Sequence, residues 1–216
     1  KTNTLLSRLM DNFEPNAFYV DELKTVTMFA PYMWGGAQSS EIIKEPIILY
    51  ATLGHELYHS LFTPSSKILL NIYSHRRECI QKHYKKACSK YAVGECSSGK
   101  HTITEDGADV EGFRMTHDII RKRYTAEELN APIDGFATTV EQAFFYYAAS
   151  EFCAITTKQT PVDAKDTHSA DNVRVNAAFS LMPEFSKAFQ CKKGDRMYIG
   201  EEKSCYVFGP KSGDKP

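Results

Sequence analysis

The chain has 216 residues, 42% of them hydrophobic, enough to bury a sizeable core as one domain and too apolar for a disordered segment. Its 26 lysines and arginines against 27 aspartates and glutamates leave a formal net charge of -1 with no block of either sign, a pattern that excludes a polybasic nucleic-acid binder or a membrane-surface patch. No stretch approaches the roughly 18 apolar residues of a membrane span, since the longest apolar run, Pro46 to Leu53, already contains Tyr50 and Thr52.

Residue 1 is Lys, and Lys1 to Leu6 lacks the zones of a secretory signal, so the natural start is expected upstream. In chain order, Thr4 to Met10 reads as a short amphipathic helix closed by Asp11-Asn12 and Pro15. Ala17 to Val20 and Thr25 to Phe29, separated by polar residues, read as a small hairpin. From Pro46 to about Leu61 apolar residues occupy both faces of a helix expected to lie deep in the fold, ended by Pro64. One more polar helix is expected over Ile68 to Tyr91 and another from Thr104 to about Tyr124. Val140, Phe144, Tyr147 or Ala148, and Phe152 at helical spacing predict a buried helix over roughly Phe136 to Cys153, followed by a shorter one near Ala170 to Phe179. Residues 192–216, rich in Lys, Gly and Pro, read as mostly coil held at Cys205. The class is α+β, mainly α-helical, with a single lobe over residues 1–216.

Within the third of these elements stands His55-Glu56-Leu57-Tyr58-His59. Residues four apart share a helix face, so both imidazoles can reach one metal while Glu56 points at its open coordination position. This is the zincin arrangement, and catalytic zinc takes a third protein ligand. Glu105 can complete a His-His-Glu set of the gluzincin type, and Asp109, one turn later, can accept the free N–H of a ligand histidine. Taken alone, the same acidic pair also reads as a helix N-terminus favoured by the dipole.

At these residues the chain resembles the C-terminal catalytic part of the neprilysin and endothelin-converting-enzyme family of zinc metallopeptidases. Asn16-Ala17-Phe18-Tyr19, Gly54-His55-Glu56 with His59, and Glu105 with Ala108-Asp109 carry the likeness. His168, Arg174-Val175, Phe189, Cys191 and Cys205 follow in order, so that it spans about Asn16 to Cys205. The resemblance implies a single Zn2+ held by His55, His59 and Glu105, with Glu56 as general base. It further implies Asn16 and Ala17 on a substrate-binding edge strand, His168 at the oxyanion and Arg174 holding the peptide. Without it, His168 in Asp166-Thr167-His168-Ser169 is an ordinary solvated loop residue.

The implied activity is endopeptidase cleavage of extracellular peptides. Family members are several-fold longer and carry an N-terminal lobe that closes over the zinc site, which makes such a lobe an expected partner of this chain. A catalytically silent binding module and a gluzincin aminopeptidase are the competing readings, although the chain has no Gly-x-Met-Glu-Asn anchor for a substrate amine.

Ala51 and Thr52, just before His55, fall where the family has its main side-chain pocket, and Val175 and Phe152 are candidates for its remaining wall or for the core. The family's preference for a large apolar residue on the leaving side of the scissile bond is carried over as an expectation. Six cysteines without paired C-x-x-C knuckles favour a disulfide-bonded extracellular protein, secreted or tethered by an anchor upstream of Lys1. Family matching implies a Cys79–Cys205 bond and leaves Cys153 and Cys191 unpaired or joined to each other. Cys88 and Cys96 form a plausible local bridge.

Overall fold

A computed structural model describes residues 16–29, 44–63, 65–93, 96, 100–153 and 166–209. The Thr4 to Met10 expectation and the end of the tail, 210–216, lie outside them. The described chain is mainly helical with one two-stranded antiparallel sheet, β1 (Ala17–Val20) and β2 (Thr25–Met28), with Ala17 opposite Met28 and Val20 opposite Thr25. Helices follow as α1 (Lys44–Leu61), α2 (Lys67–Ile72), α3 (Ser74–Tyr91), α4 (Ile103–Arg123), α5 (Ala126–Asn130), α6 (Val140–Ser150), α7 (Asp171–Ser180) and α8 (Pro183–Ala188).

The core is built from α3, α4, α6 and α7, whose Tyr84, Val110, Phe113, Phe144, Phe145 and Phe179 are buried together. Phe145 lies edge-on to Phe144, Phe179 and Phe185 with ring centroids 4.9 to 5.2 Å apart, the favoured arrangement for aromatic quadrupoles. The closest helix pair is α1 on α4, and glycine makes the approach possible. A Cβ on Gly112 would lie 2.8 Å from the Ala51 carbonyl oxygen, and one on Gly54 would lie 3.0 Å from Gly112 Cα. With hydrogens there instead, the two backbones meet and side chains four residues along each helix can converge.

Several boundaries differ from the periodicity reading, each for a local reason. The single helix expected over Ile68 to Tyr91 is two, broken at Tyr73, whose backbone (φ -96°, ψ 8°) leaves the helical region while its ring packs edge-on against Phe62 and Phe208. The helix expected from Phe136 starts at Val140, because Thr139 and Gln142 form a reciprocal capping box behind the positive-φ Gly135. Helix α5 was hidden by its length but carries its own capping box, Thr125 with Glu128, and α8 carries Pro183 in its first turn. On α1, Leu57 and Leu61 are about 40% exposed, so the helix is not buried on all sides as expected (42% and 40%).

Among the described residues beyond α8 the chain is irregular apart from a 3-10 turn at Glu201–Lys203, yet it is held at more than Cys205. Arg76 donates to the carbonyls of Val207 and Gly209, Arg114 donates to the carbonyls of Cys205 and Leu181, Val207 is fully buried, and Phe208 stacks on Phe62. Cys79 bonds Cys205 and Cys88 bonds Cys96, while Cys153 and Cys191 are free thiols.

Candidate metal centre and cleft

Two turns of α1 and the first turns of α4 face each other across the glycine contact, and four candidate side chains meet there. His55 Nε2 lies 3.0 Å from His59 Nε2 and 3.2 Å from Glu105 Oε2, and His59 Nε2 is also 3.2 Å from that oxygen. Among the described residues, these three are the group whose ligand atoms all lie within 4.8 Å of one another. Two imidazole nitrogens 3.0 Å apart share either a proton or another cation between them. A nitrogen, nitrogen, carboxylate set of this kind suits a divalent zinc ion, with room for a fourth, non-protein ligand.

The surroundings orient this set. Asp109, nearly inaccessible, places Oδ1 2.9 Å from His55 Nδ1, so that the far ring nitrogen is the one turned toward His59 and Glu105. Arg174 from α7 clamps the same carboxylate with two bonds, Nε to Oδ2 at 2.7 Å and Nη2 to Oδ1 at 2.8 Å. Burial alone would push the Asp109 pKa up, but the Arg174 charge and hydrogen bonds hold it well below the usual range. Burial disfavours charge on His55 too, yet the Asp109 and Glu105 carboxylates outweigh it and lift its pKa to about 9. Glu105 stays ionised against its burial through hydrogen bonds from His168, His55 and His59.

His168 is brought to the same oxygen, its Nε2 3.3 Å from Glu105 Oε2, with Nδ1 3.0 Å from Asp166 Oδ1. Hydrogen bonding to Glu105 raises its pKa. Glu56, buried, points to the other side of the cluster, where burial raises its carboxyl pKa and the Tyr19 backbone amide donates to it. The hairpin register explains that contact. Phe29 N–H donates to the Asn16 carbonyl, so the main-chain groups of Asn16 and Phe18 turn toward β2 and those of Ala17 and Tyr19 turn to the opposite edge. Asn16 Oδ1 accepts from the Ala17 amide at 2.8 Å.

A cleft of about 390 Å³ joins these parts and is lined by Asn16, Ala17, His55, Glu56, His168 and Arg174 among others. Ala51, Thr52 and Phe152 also line it, whereas Val175 packs against the core instead. A groove of about 470 Å³ on the outer side of α1, between Leu57, Leu61 and Tyr206, contains none of the candidate ligands.

Sequence reasoning passed over Asp106. Buried one residue from Glu105, it accepts from Ser169 Oγ at 2.7 Å and from Thr102 Oγ1 at 2.9 Å, tying the loop that carries His168 to the start of α4. Burial raises its pKa to about 7. It also passed over Glu151, which lines the cleft at the end of α6. An acidic run at a helix start gives no local sign of which carboxylate turns inward.

The family model for Peptidase family M13 matches residues 16–205. The chain belongs to that family. It is 32% identical to Neprilysin-3 of Drosophila melanogaster over 129 residues, covering 58% of this chain and 16% of that protein. It is 28% identical to endothelin-converting enzyme 1 of Cavia porcellus over 128 residues, covering 58% and 16%. With the human Kell blood group glycoprotein it shares 26% over 149 residues, covering 66% and 19%. The chain thus spans less than a fifth of the length of these relatives. Among solved structures, the Haemonchus galactose containing glycoprotein complex superposes with a TM-score of 0.71 at 25% identity, over 89% of this chain and 35% of that one. PepO from Lactobacillus rhamnosis HN001 superposes at 0.62 and 19% identity, covering 88% and 30%, and shares the fold.

Proposed function

We propose that this chain is a zinc-dependent endopeptidase acting on extracellular peptides, and the observation that carries the reading is the convergence of His55, His59 and Glu105 beside a buried Glu56 on an open cleft. His55, His59 and Glu105 are the residues that would hold the metal, with Asp109 fixing the His55 tautomer. Bound there, zinc supplies Lewis-acid polarisation of the scissile carbonyl and acidifies a water.

The rest falls to side chains of this chain. Glu56, its carboxyl pKa raised by burial, takes the water proton and hands it to the leaving amine. His168, kept protonated more readily by Glu105, donates to the developing oxyanion. Asn16 and the outward edge of β1 receive an extended peptide backbone, and the Arg174 guanidinium, immobilised on Asp109, offers its remaining N–H groups to substrate carbonyls. Membership of the peptidase family, two disulfides and the absence, among the described residues, of any helix able to cross a membrane are consistent with a peptide-cleaving ectodomain.

The test is cleavage of an internally quenched, end-blocked peptide library by the purified chain and by Glu56→Gln. Zinc-dependent cutting that Glu56→Gln abolishes while retaining its zinc supports the assignment. Equal cutting by both proteins, or loss of zinc in the variant, refutes the role of Glu56. Cutting that requires a free peptide amine would make the enzyme an aminopeptidase.

A further inference from the structure

Three ties join the segment from His168 to Arg174 to the first turns of α4. His168 Nε2 lies 3.3 Å from Glu105 Oε2, Ser169 Oγ donates to Asp106 Oδ1 at 2.7 Å, and Arg174 holds Asp109 with two bonds. His168, Asp109 and Arg174 line the cleft, but Asp106 and Ser169 do not. The middle tie therefore lies behind the site, where Asp106, Ser169 and Thr102 are all buried. Thr102 Oγ1 donates to the second carboxylate oxygen of Asp106 at 2.9 Å, and the Asp106 amide donates to the Thr102 carbonyl at 2.8 Å. A carboxylate held at both oxygens and at its own backbone is a fixed point on the helix that also carries Glu105.

We propose that Asp106 and Ser169 are positioning residues for His168, and that their bond sets how far its imidazole reaches over the His55, His59 and Glu105 cluster toward the developing oxyanion. This rests on the endopeptidase reading and deepens it. The other partner of His168, Asp166, accepts from its backbone amide at 2.9 Å and faces its ring nitrogen at 3.0 Å, yet both contacts are exposed. They orient the ring within its own loop, whereas the Ser169 hydroxyl fixes that loop to α4. Neighbouring Cα atoms are about 3.8 Å apart, so a displacement of Ser169 passes to His168 with little slack. Burial makes the tie exacting, because a carboxylate oxygen that loses its donor there has no solvent to replace it. A displacement of about 1 Å at a group that meets the transition state costs on the order of 100-fold.

The test uses the zinc-loaded chain and two uncleavable, end-blocked peptides of one sequence. In one the scissile amide is replaced by a tetrahedral phosphinic group with oxygens at the oxyanion position; in the other it is a reduced amide with none. Ser169→Ala, with folding checked by circular dichroism and zinc affinity unchanged, should bind the phosphinic peptide about 10- to 100-fold more weakly and the reduced amide as before. His168→Ala should show the same selective loss, and adding Ser169→Ala to it should cost nothing further. Asp106→Asn keeps an acceptor for Ser169 and should bind like the wild type, while Asp106→Ala should reproduce the Ser169→Ala loss. Where cleavage is measured, the loss should fall on kcat with KM little changed. The proposal is overturned if Ser169→Ala binds the phosphinic peptide normally, if its loss is the same with and without His168, or if both peptides weaken together. An unaffected phosphinic affinity in His168→Ala would remove the oxyanion role of His168 and this proposal with it. The predicted binding pattern in a chain that cleaves nothing would instead remove the endopeptidase reading and leave the positioning in place.

Discussion

Replacing Gly112 with alanine tests whether the α1–α4 crossing sets the ligand geometry. The new Cβ would sit 2.8 Å from the Ala51 carbonyl oxygen and 3.0 Å from the His55 amide nitrogen, both backbone atoms of α1, so no rotamer change relieves the contact. Ordinary van der Waals contact begins at 3.4 Å, and the helices must therefore part by about 0.6 Å. His55 and His59 ride on one helix and Glu105 on the other, while ligand positions around a bound metal tolerate about 0.2 Å. Gly112→Ala should lower zinc affinity by about 10- to 100-fold, the scale of a displaced supporting group. Its effect on stability is smaller than the steric term suggests, because about 1–3 kcal/mol of overpacking is offset by about 1 kcal/mol of helix propensity.

Gly54→Ala is the control. Its shortest contact, 2.7 Å, is to Met115 Cε, the movable end of a flexible side chain, and its next is 3.0 Å to Gly112 Cα. Competition between the protein and a chromogenic chelator for zinc, with circular dichroism to confirm folding, measures both variants. Unchanged zinc affinity in a folded Gly112→Ala protein, or a larger loss in Gly54→Ala, would refute the idea that backbone proximity positions the ligands.

Three further outcomes follow from the same structure. Asp109→Asn should weaken zinc binding by about 10- to 100-fold, measured by the same competition, and an unchanged affinity would remove Asp109 from the orientation of His55. His83, held by the Ser180 hydroxyl at 2.9 Å and the Ala177 carbonyl at 3.2 Å, has its pKa pushed down by burial to about 4. The unfolded chain therefore takes up a proton near pH 6.5 that the folded chain refuses until about 4, so stability should fall by roughly 3 kcal/mol between those values and no further from this group. His83→Gln should flatten the drop in urea midpoints across that window, and an identical profile would count against the assignment. Removing the Cys79–Cys205 bond as the double serine variant opens a loop of sequence separation 126, for which chain entropy gives about 4–5 kcal/mol of lost stability. A thermal unfolding midpoint unchanged by the substitution would show that the bond contributes little.

The proximity of the two candidate ligand histidines was readable before the structure because a helix places residues four apart on one face, so His55 and His59 needed no tertiary information to be paired. Glu105 and Asp109 required a second helix to pack against the first, and their spacing hinted at it only beside the histidines. His168 and Arg174 had no local signature at all: one sits in an irregular loop and the other on a short helix, and their place at Glu105 and Asp109 arises from long-range packing. Helix boundaries failed where side-chain caps or ring packing override periodicity, as at Thr139 and Tyr73. The burial of Asp106 and the exposure of Leu57 were equally invisible, since both depend on which neighbours cover a face.

The covalent topology bears on how the centre is assembled. The loop closed by Cys79 and Cys205 contains Glu105, Asp109, His168 and Arg174, but His55, Glu56 and His59 lie upstream of it. Oxidation alone therefore restricts the acidic half of the site and leaves the histidine half free. A metal joining His55 to Glu105, 50 residues apart, would close a second loop that interlocks with the first. Either constraint shortens the chain that the other must still order. Chelation and reduction together should then cost more than the two costs measured separately, and a metal held at this cluster would act as a staple for the fold.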